Sequence, residues 1–418
     1  MKILIKQAKI ISPSSPFNGQ TQDILIAGGK ISQIADSITE KADKTIEQAG
    51  LCVSIGWMDI FADFADPGFE QKENMLSGAA AAAAGGFTDI MLIPNSSPVV
   101  DNKSQVEYIV QKAKQVAVNI HPIGAVTKKA DGKELSEMYD MRQSGALAFS
   151  DGIKPIQNSG LILKALQYVK SFDGTVIQVP DDTGIGTNGL MNEGLISTQM
   201  GLPGKPTMAE ELMVARDIKL ARYADSKLHF TGVSSPKSLE YIKRAKEGGI
   251  QVSCSITPYQ IYFCDEDLQG YDTNLKLNPP LRNRADMMAI REALLNGTID
   301  CIASHHLPQH WDNKTCEFEY AKPGMISLET MFAVLMSCGL AAESFVLMQT
   351  INVRNIFGLP VPEIKEGETA ILTLFTPAAE FIFDGNMIHS KSKNSPFIGK
   401  KLKGKVVGII NRSNIQLN

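Results

Sequence analysis

The chain has 418 residues, of which 44% are hydrophobic and 21% charged, and a net charge of −4. That length suits one large barrel with a satellite domain, and that composition is ordinary for a soluble globular protein. The small negative charge gives no reason to expect nucleic acid or an anionic membrane as a partner, and no apolar run approaches the length of a membrane span.

At the N-terminus, Met1-Lys2-Ile3-Leu4-Ile5-Lys6 is too short and too charged for a signal peptide. Residues 2 to 11 alternate loosely on a β-prone frame. Asp23-Ile24-Leu25-Ile26, the turn Ala27-Gly28-Gly29 and Lys30-Ile31-Ser32-Gln33-Ile34 then read as a hairpin. The same texture returns in Ala370–Phe375, Phe381–Phe383 and Gly404–Ile410. The two β-rich ends are expected to pair into one β-sandwich domain, residues 1–53 with 361–418.

Between them, residues 54–360 hold eight strand candidates: Ser54–Phe64, Thr88–Ile93, Val118–Val126, Ala146–Ser150, Thr175–Val179, Lys227–Val233, Ile250–Ile256 and Ile299–Ser304. Helical patterns separate them: the alanine-rich run Leu76–Gly86, then Lys103–Val116, Lys133–Arg142, Gly160–Ser171, Met208–Tyr223, Pro236–Glu247 and Arg284–Leu295. Eight alternating βα units predict an α/β fold, a TIM-like (β/α)8 barrel, and no Gly-rich phosphate loop follows the first strand to favour an open doubly wound sheet. Ala79 to Ala84 reads as a helix packed closely on the barrel. Chemistry in such barrels sits where strands end, so Gly56 to Gly68, a strand closed by the turn Asp66-Pro67-Gly68, is the first place to look.

Six cysteines (Cys52, Cys254, Cys264, Cys301, Cys316 and Cys338) are scattered with no CxxC pair, which predicts a reduced cytoplasmic protein. Cys254 and Cys301 read as small buried hydrophobes. Of six histidines, His305, His306 and His310 fall in one six-residue window.

The terminal β segments around a βα barrel, with the first barrel strand followed by Asp-Pro-Gly, resemble the amidohydrolase superfamily, and specifically the dihydroorotases. Ile93-Pro94-Asn95-Ser96-Ser97-Pro98 is similar to the family's M-P-N-T-x-P, and Phe149-Ser150-Asp151-Gly152 to F-[ST]-D-D-G. Gly201–Pro206 with Glu210-Glu211, Lys276–Arg282 and Ser390–Phe397 match at specific residues, and the resemblance runs nearly the full length. It implies dihydroorotate ring opening or closure by a zinc-bound hydroxide, in the pyrimidine pathway.

Zinc chemistry needs imidazole or carboxylate ligands converging from several strand ends. By the resemblance, the first-strand H-x-H falls on Phe61 and Asp63, the fifth-strand histidine on Val179 and the sixth-strand histidine on Gly232. The catalytic aspartate falls on His305. Asp151 is kept among the expected ligands, and Asn95 among the substrate contacts. The arginine that holds the substrate carboxylate is Ala65, the histidine closing D-H-A-P-H is Gln309, and Thr257-Pro258-Tyr259-Gln260 replaces T-P-H-H. A phenylalanine cannot ligate zinc, and a lost guanidinium removes a bidentate contact.

The expectation is therefore a catalytically silent homologue, with no cofactor, serving as a scaffold for aspartate carbamoyltransferase and forming homo-oligomers, as the resemblance implies. The alternative is an active cyclic amidohydrolase, with zinc, rebuilt around Asp63, Asp151 and His305, all three facing one barrel mouth. A third reading is a small-molecule sensor that uses the emptied pocket. His305 is expected to fill the metal's space, hydrogen-bonded to one of the carboxylates. Asp63 with Asp151 makes a poor metal-free acid–base pair without an electrophile. His310, Asp181-Asp182 and Asp265-Glu266-Asp267 read as solvated loop groups, and Asn95 as either a ligand contact or a turn cap.

Overall fold

At Gly56 the backbone leaves one sheet and enters another. The computed structural model describes residues 1–418, and the predicted strand Ser54–Phe64 is divided in it. Cys52–Ile55 lies in the sheet of the chain ends, parallel to Lys2–Ile10 and antiparallel to Ile371–Ile382, whereas Trp57–Ala62 is the first barrel strand. Glycine is required at the switch. A Cβ at position 56 would lie 2.0 Å from Thr88 Oγ1.

The other barrel strands are Phe87–Leu92, Asn119–Gly124, Ala148–Phe149, Thr175–Gln178, Lys227–Phe230, Val252–Ile256 and Cys301–Ile302, in sequence order around the sheet. Each pairs parallel with the next. The eighth returns to the first through Ala62 and His306, with Asp63 N donating to His306 O at 2.8 Å. Asp59, wholly buried, accepts from Ser304 N at 2.6 Å and Ser304 Oγ at 2.7 Å across the same seam. Burial pushes the Asp59 carboxyl up, and these bonds oppose the shift.

Helices Pro236–Glu247 and Arg284–Leu295 form as the pattern predicts. The segment predicted as helix from Lys133 is helical only over Met138–Gln143. Its first residues turn back on the segment just after the third strand instead: Leu135 bridges Thr127, and Ser136 N donates to Val126 O at 2.9 Å. The alanine-rich helix Met75–Ala84 starts on an Asn74 cap and buries Ala79 and Ala81 through Ala84. Small side chains permit its approach, since a Cβ on Gly78 would lie 2.5 Å from the Phe64 ring.

The chain ends meet in one sheet of eight strands, running from Asn414–Leu417 through Lys401–Asn411, Ile371–Ile382, Cys52–Ile55, Lys2–Ile10 and Thr21–Ala27 to Lys30–Ala35, with Lys44–Ile46 also on Lys2–Ile10. Trp57 couples this sheet to the barrel. Its buried indole packs on Phe332, Phe345 and Phe375 at centroid distances of 4.9, 4.7 and 5.2 Å, and its N–H donates to Ser54 Oγ at 2.9 Å. No helix is long and apolar enough to cross a membrane.

Candidate functional site

A cavity of about 450 Å³ opens at the mouth of the barrel, beyond the carboxyl ends of the strands. Phe61, Asp63, Asn95, Val179, His305 and Gln309 line it, with Lys72 and Lys154 supplying positive charge. The positions singled out on strands one, two, five and eight thus converge. Strands four and six behave differently.

Asp151 is not among the residues that line this mouth. Its carboxylate accepts from Thr127 N at 2.9 Å and Thr127 Oγ1 at 2.5 Å, and only 2% of the residue is exposed. Burial raises its pKa to about 6 against those bonds. The expectation that Asp63, Asp151 and His305 share one mouth is corrected here: the loop after the third strand takes up the carboxylate first. Asn95 is likewise committed, donating from Nδ2 to Asp151 O at 3.0 Å and accepting at Oδ1 from Ile153 N at 3.0 Å. Its amide holds the loop after strand four, although its side chain still borders the cavity.

His305 is buried, stacked on Phe61 with ring centroids 4.4 Å apart. Its backbone has φ 43°, and its ring occupies the space over Gly232, where an added Cβ would be 2.7 Å from His305 Cε1. The expected carboxylate partner is absent. His305 Nε2 lies 2.8 Å from Thr231 Oγ1, which accepts from Ser255 Oγ at 2.9 Å, and Ser255 Oγ lies 3.0 Å from His229 Nε2. Two imidazoles are thereby joined through two hydroxyls across strands six, seven and eight. Desolvation lowers both His305 and His229 to a pKa of about 3, so both are neutral.

Asp63 is half-buried and accepts from Ala65 N at 2.7 Å. Desolvation raises its pKa, with the Ala65 N–H and the Lys72 charge pulling the other way. Ala65 itself is buried at φ 54° and presents no cation to the cavity. Gln309 Nε2 donates to Pro323 O at 3.0 Å. His306 is fully buried, its Nδ1 accepting from Ser327 N at 3.2 Å and its Nε2 3.7 Å from Glu73 Oε2. His310 stays partly exposed beside Asp312 at 3.2 Å.

Two acidic groups expected in solvent are buried. Asp181 Oδ2 accepts from Lys205 Nζ at 2.5 Å and Asn278 Nδ2 at 3.3 Å, and Asp265 faces Asn192 Nδ2 at 3.5 Å. Both partners are distant in sequence, so local charge density could not reveal them. Thr231, Lys72 and Lys154 were also missed. The lysines follow strands one and four, where loop charges could have been read as mouth charges.

The residues at the mouth do not fit a zinc ion. No three His, Cys, Asp or Glu side chains anywhere in the chain are grouped to hold a metal. Phe61 and Val179 offer no donor atom, Asp151 is engaged by Thr127, and His305 Nε2 is directed at Thr231. What remains is a polar-rimmed cavity over an apolar and aromatic floor.

Similarity to solved structures supplies the class. The L-hydantoinase (dihydropyrimidinase) from Arthrobacter aurescens superposes with a TM-score of 0.86 over 99% of this chain and 95% of its own, at 21% identity. The dihydropyrimidinase from Brevibacillus agri NCHU1002 gives 0.82 over 100% and 95%, at 20% identity. At that identity the likeness is one of fold: the barrel with an added sheet that these hydantoinase and dihydropyrimidinase structures share. Sequence supplies the family. Residues 51–238 match the dihydro-orotase-like family. Proteins named dihydroorotase are 40% identical in Syntrophus aciditrophicus, over 97% of both chains, and 41% identical in Acetivibrio thermocellus, over 99% of this chain and 98% of that one. The chain belongs to the dihydroorotase family.

Proposed function

We propose that this chain is a zinc-free, catalytically silent dihydroorotase homologue of cytoplasmic pyrimidine biosynthesis, acting as a homo-oligomeric scaffold for aspartate carbamoyltransferase. One observation carries the loss of catalysis: His305 sits where the catalytic aspartate is expected, stacked on Phe61 and pointed at Thr231. Hydrolysis of a cyclic amide needs a polarised carbonyl and an activated water. Asp63 alone supplies neither a Lewis acid nor an oxyanion partner. Ala65 leaves the substrate carboxylate without its guanidinium, and Lys72 and Lys154 offer only point charges at the rim.

The family resemblance is what suggests the partner, and a retained scaffold is compatible with it. Glu210 still accepts from Ser234 N, Ser235 N and Arg282, so the matched Gly201–Glu211 and Lys276–Arg282 stretches remain knitted together without a metal to organise. The test is metal analysis and a dihydroorotate assay on the purified protein, with and without added zinc, beside co-purification with the carbamoyltransferase of the same cell. No turnover in either assay, with co-elution as a complex, is the expected result. Stoichiometric zinc with turnover would overturn this reading in favour of a site rebuilt around Asp63 and His305.

A further inference from the structure

Beside the barrel mouth, and sharing only Gln309 with it, lies a second cavity of about 430 Å³. Lys314, Lys391 and Lys393 line it together with His310, and no aspartate or glutamate does. The lysines come from two distant segments, so only the fold brings them together. Each ammonium donates to a main-chain carbonyl rather than a carboxylate: Lys314 to Thr273 at 2.8 Å, Lys391 to Glu70 at 2.6 Å and Lys393 to Ile388 at 2.6 Å. An ammonium carries three protons, so each keeps donors to spare.

Lys314 is only 9% exposed, and its neighbour Lys276, 6% exposed, donates to the carbonyls of Phe318 and Glu319 and lies over the Phe318 ring, with no carboxylate partner. Two buried ammoniums without a carboxylate are an electrostatic debit that a bound anion would relieve. Desolvation and the Lys276 charge lower Lys314 to a pKa of about 7, against a pull upward from Asp272. The other acids nearby are Asp312, on His310, and Glu70, close to Lys391. Trp311 is the sole apolar member of the lining, 66% exposed, and offers a flat ring at the rim. Cations grouped in a cavity of this size, with one exposed indole beside them, match a small ligand that joins an anion to a planar ring.

We propose that this cavity binds a nucleoside phosphate, with its phosphate on Lys314, Lys391 and Lys393 and its base against Trp311. The site lies outside the barrel mouth, so its test does not depend on whether the mouth is catalytic. The chain has two tryptophans, and the other, Trp57, is wholly buried, which makes Trp311 a built-in reporter.

The full-length protein is titrated separately with UMP, AMP and inorganic phosphate, followed by calorimetry and tryptophan fluorescence. Nucleotide binding with quenching is expected, weakened about tenfold or more by K391A/K393A, whose side chains are exposed and leave the fold alone. K314M should weaken it in the same direction, and W311F should remove the quench and reduce affinity. Three results would each overturn the proposal: no heat from either nucleotide at millimolar concentration, nucleotide binding indifferent to K391A/K393A, or inorganic phosphate bound as tightly as the nucleotides.

Discussion

His305 lies nearly face to face on Phe61, with ring centroids 4.4 Å and planes 27° apart. Two side chains on strands far apart in sequence are thus one packing unit. The phenylalanine supplies a flat apolar wall, and the imidazole fills the volume above it while Thr231 satisfies its ring nitrogen. The pair forms part of the wall of the barrel-mouth cavity.

Restoring the first-strand motif alone will not restore catalysis. Phe61→His with Asp63→His still leaves Val179 and Gly232 without ligand atoms, Ala65 without charge and the His305 ring packed over Gly232. A side chain on Gly232 would also meet the His305 ring, and its φ of 73° disfavours any replacement. We expect no dihydroorotate turnover from the double variant with added zinc. Measurable turnover would show that the site has been assigned to the wrong residues.

Phe61→Ala should be strongly destabilising, by about 3–5 kcal/mol, because it removes a fully buried ring and the support of the His305 stack. Urea unfolding midpoints measure this directly. A loss below about 1 kcal/mol would mean that neighbouring side chains collapse into the gap.

Stability should fall with acid in a window set by His305 and His229. Both have folded pKa values near 3, below the ordinary 6.5, so between pH 6.5 and 3 the unfolded chain binds protons that the native state refuses. Their stabilisation is complete above pH 6.5 and is lost as pH falls. Asp151, raised to about 6, acts in the opposite sense between about pH 6 and its ordinary value of 3.8. Comparing wild type with His305→Asn isolates one imidazole, since asparagine tolerates the positive φ. The variant's loss on acidification should be shallower by about 1.4 kcal/mol per pH unit. Parallel curves would show that His305 titrates normally.

Lys205→Met should cost about 3–5 kcal/mol, because it strands the buried Asp181 carboxylate, now 2.5 Å from the ammonium. Asp181→Asn combined with Lys205→Met should recover much of that loss. A thermal unfolding series over the two single variants and the double gives the coupling between them. Strict additivity would mean the pair is solvated.

All eight barrel strands were readable because parallel strands buried on both faces are apolar runs, and the helices between them carry a 3.6-residue period. Lys133–Arg142 is not helical at its start because Leu135 and Ser136 pair with Thr127 and Val126, just past the third strand, a contact with no helical periodicity. At the site, the residue types at Phe61, Asp63, Val179, Gly232 and His305 could be read from the family motifs. The partners could not, because Thr231 for His305 and Thr127 for Asp151 are choices made across strands.

Gly56 to Gly68 shows where the division falls. By itself the sequence determined that a barrel strand ends here in a turn and carries phenylalanine, aspartate and alanine at positions where the family resemblance leads one to expect histidines and an arginine. Those are properties of side-chain type and local pattern, and no neighbour can put a donor atom on Phe61. Tertiary structure alone decided that Gly56 separates two sheets, that His305 stacks on Phe61, and that Thr127 holds the Asp151 carboxylate. Each depends on which atoms come within hydrogen-bonding or van der Waals reach once the barrel closes, and that distance is set by the whole chain.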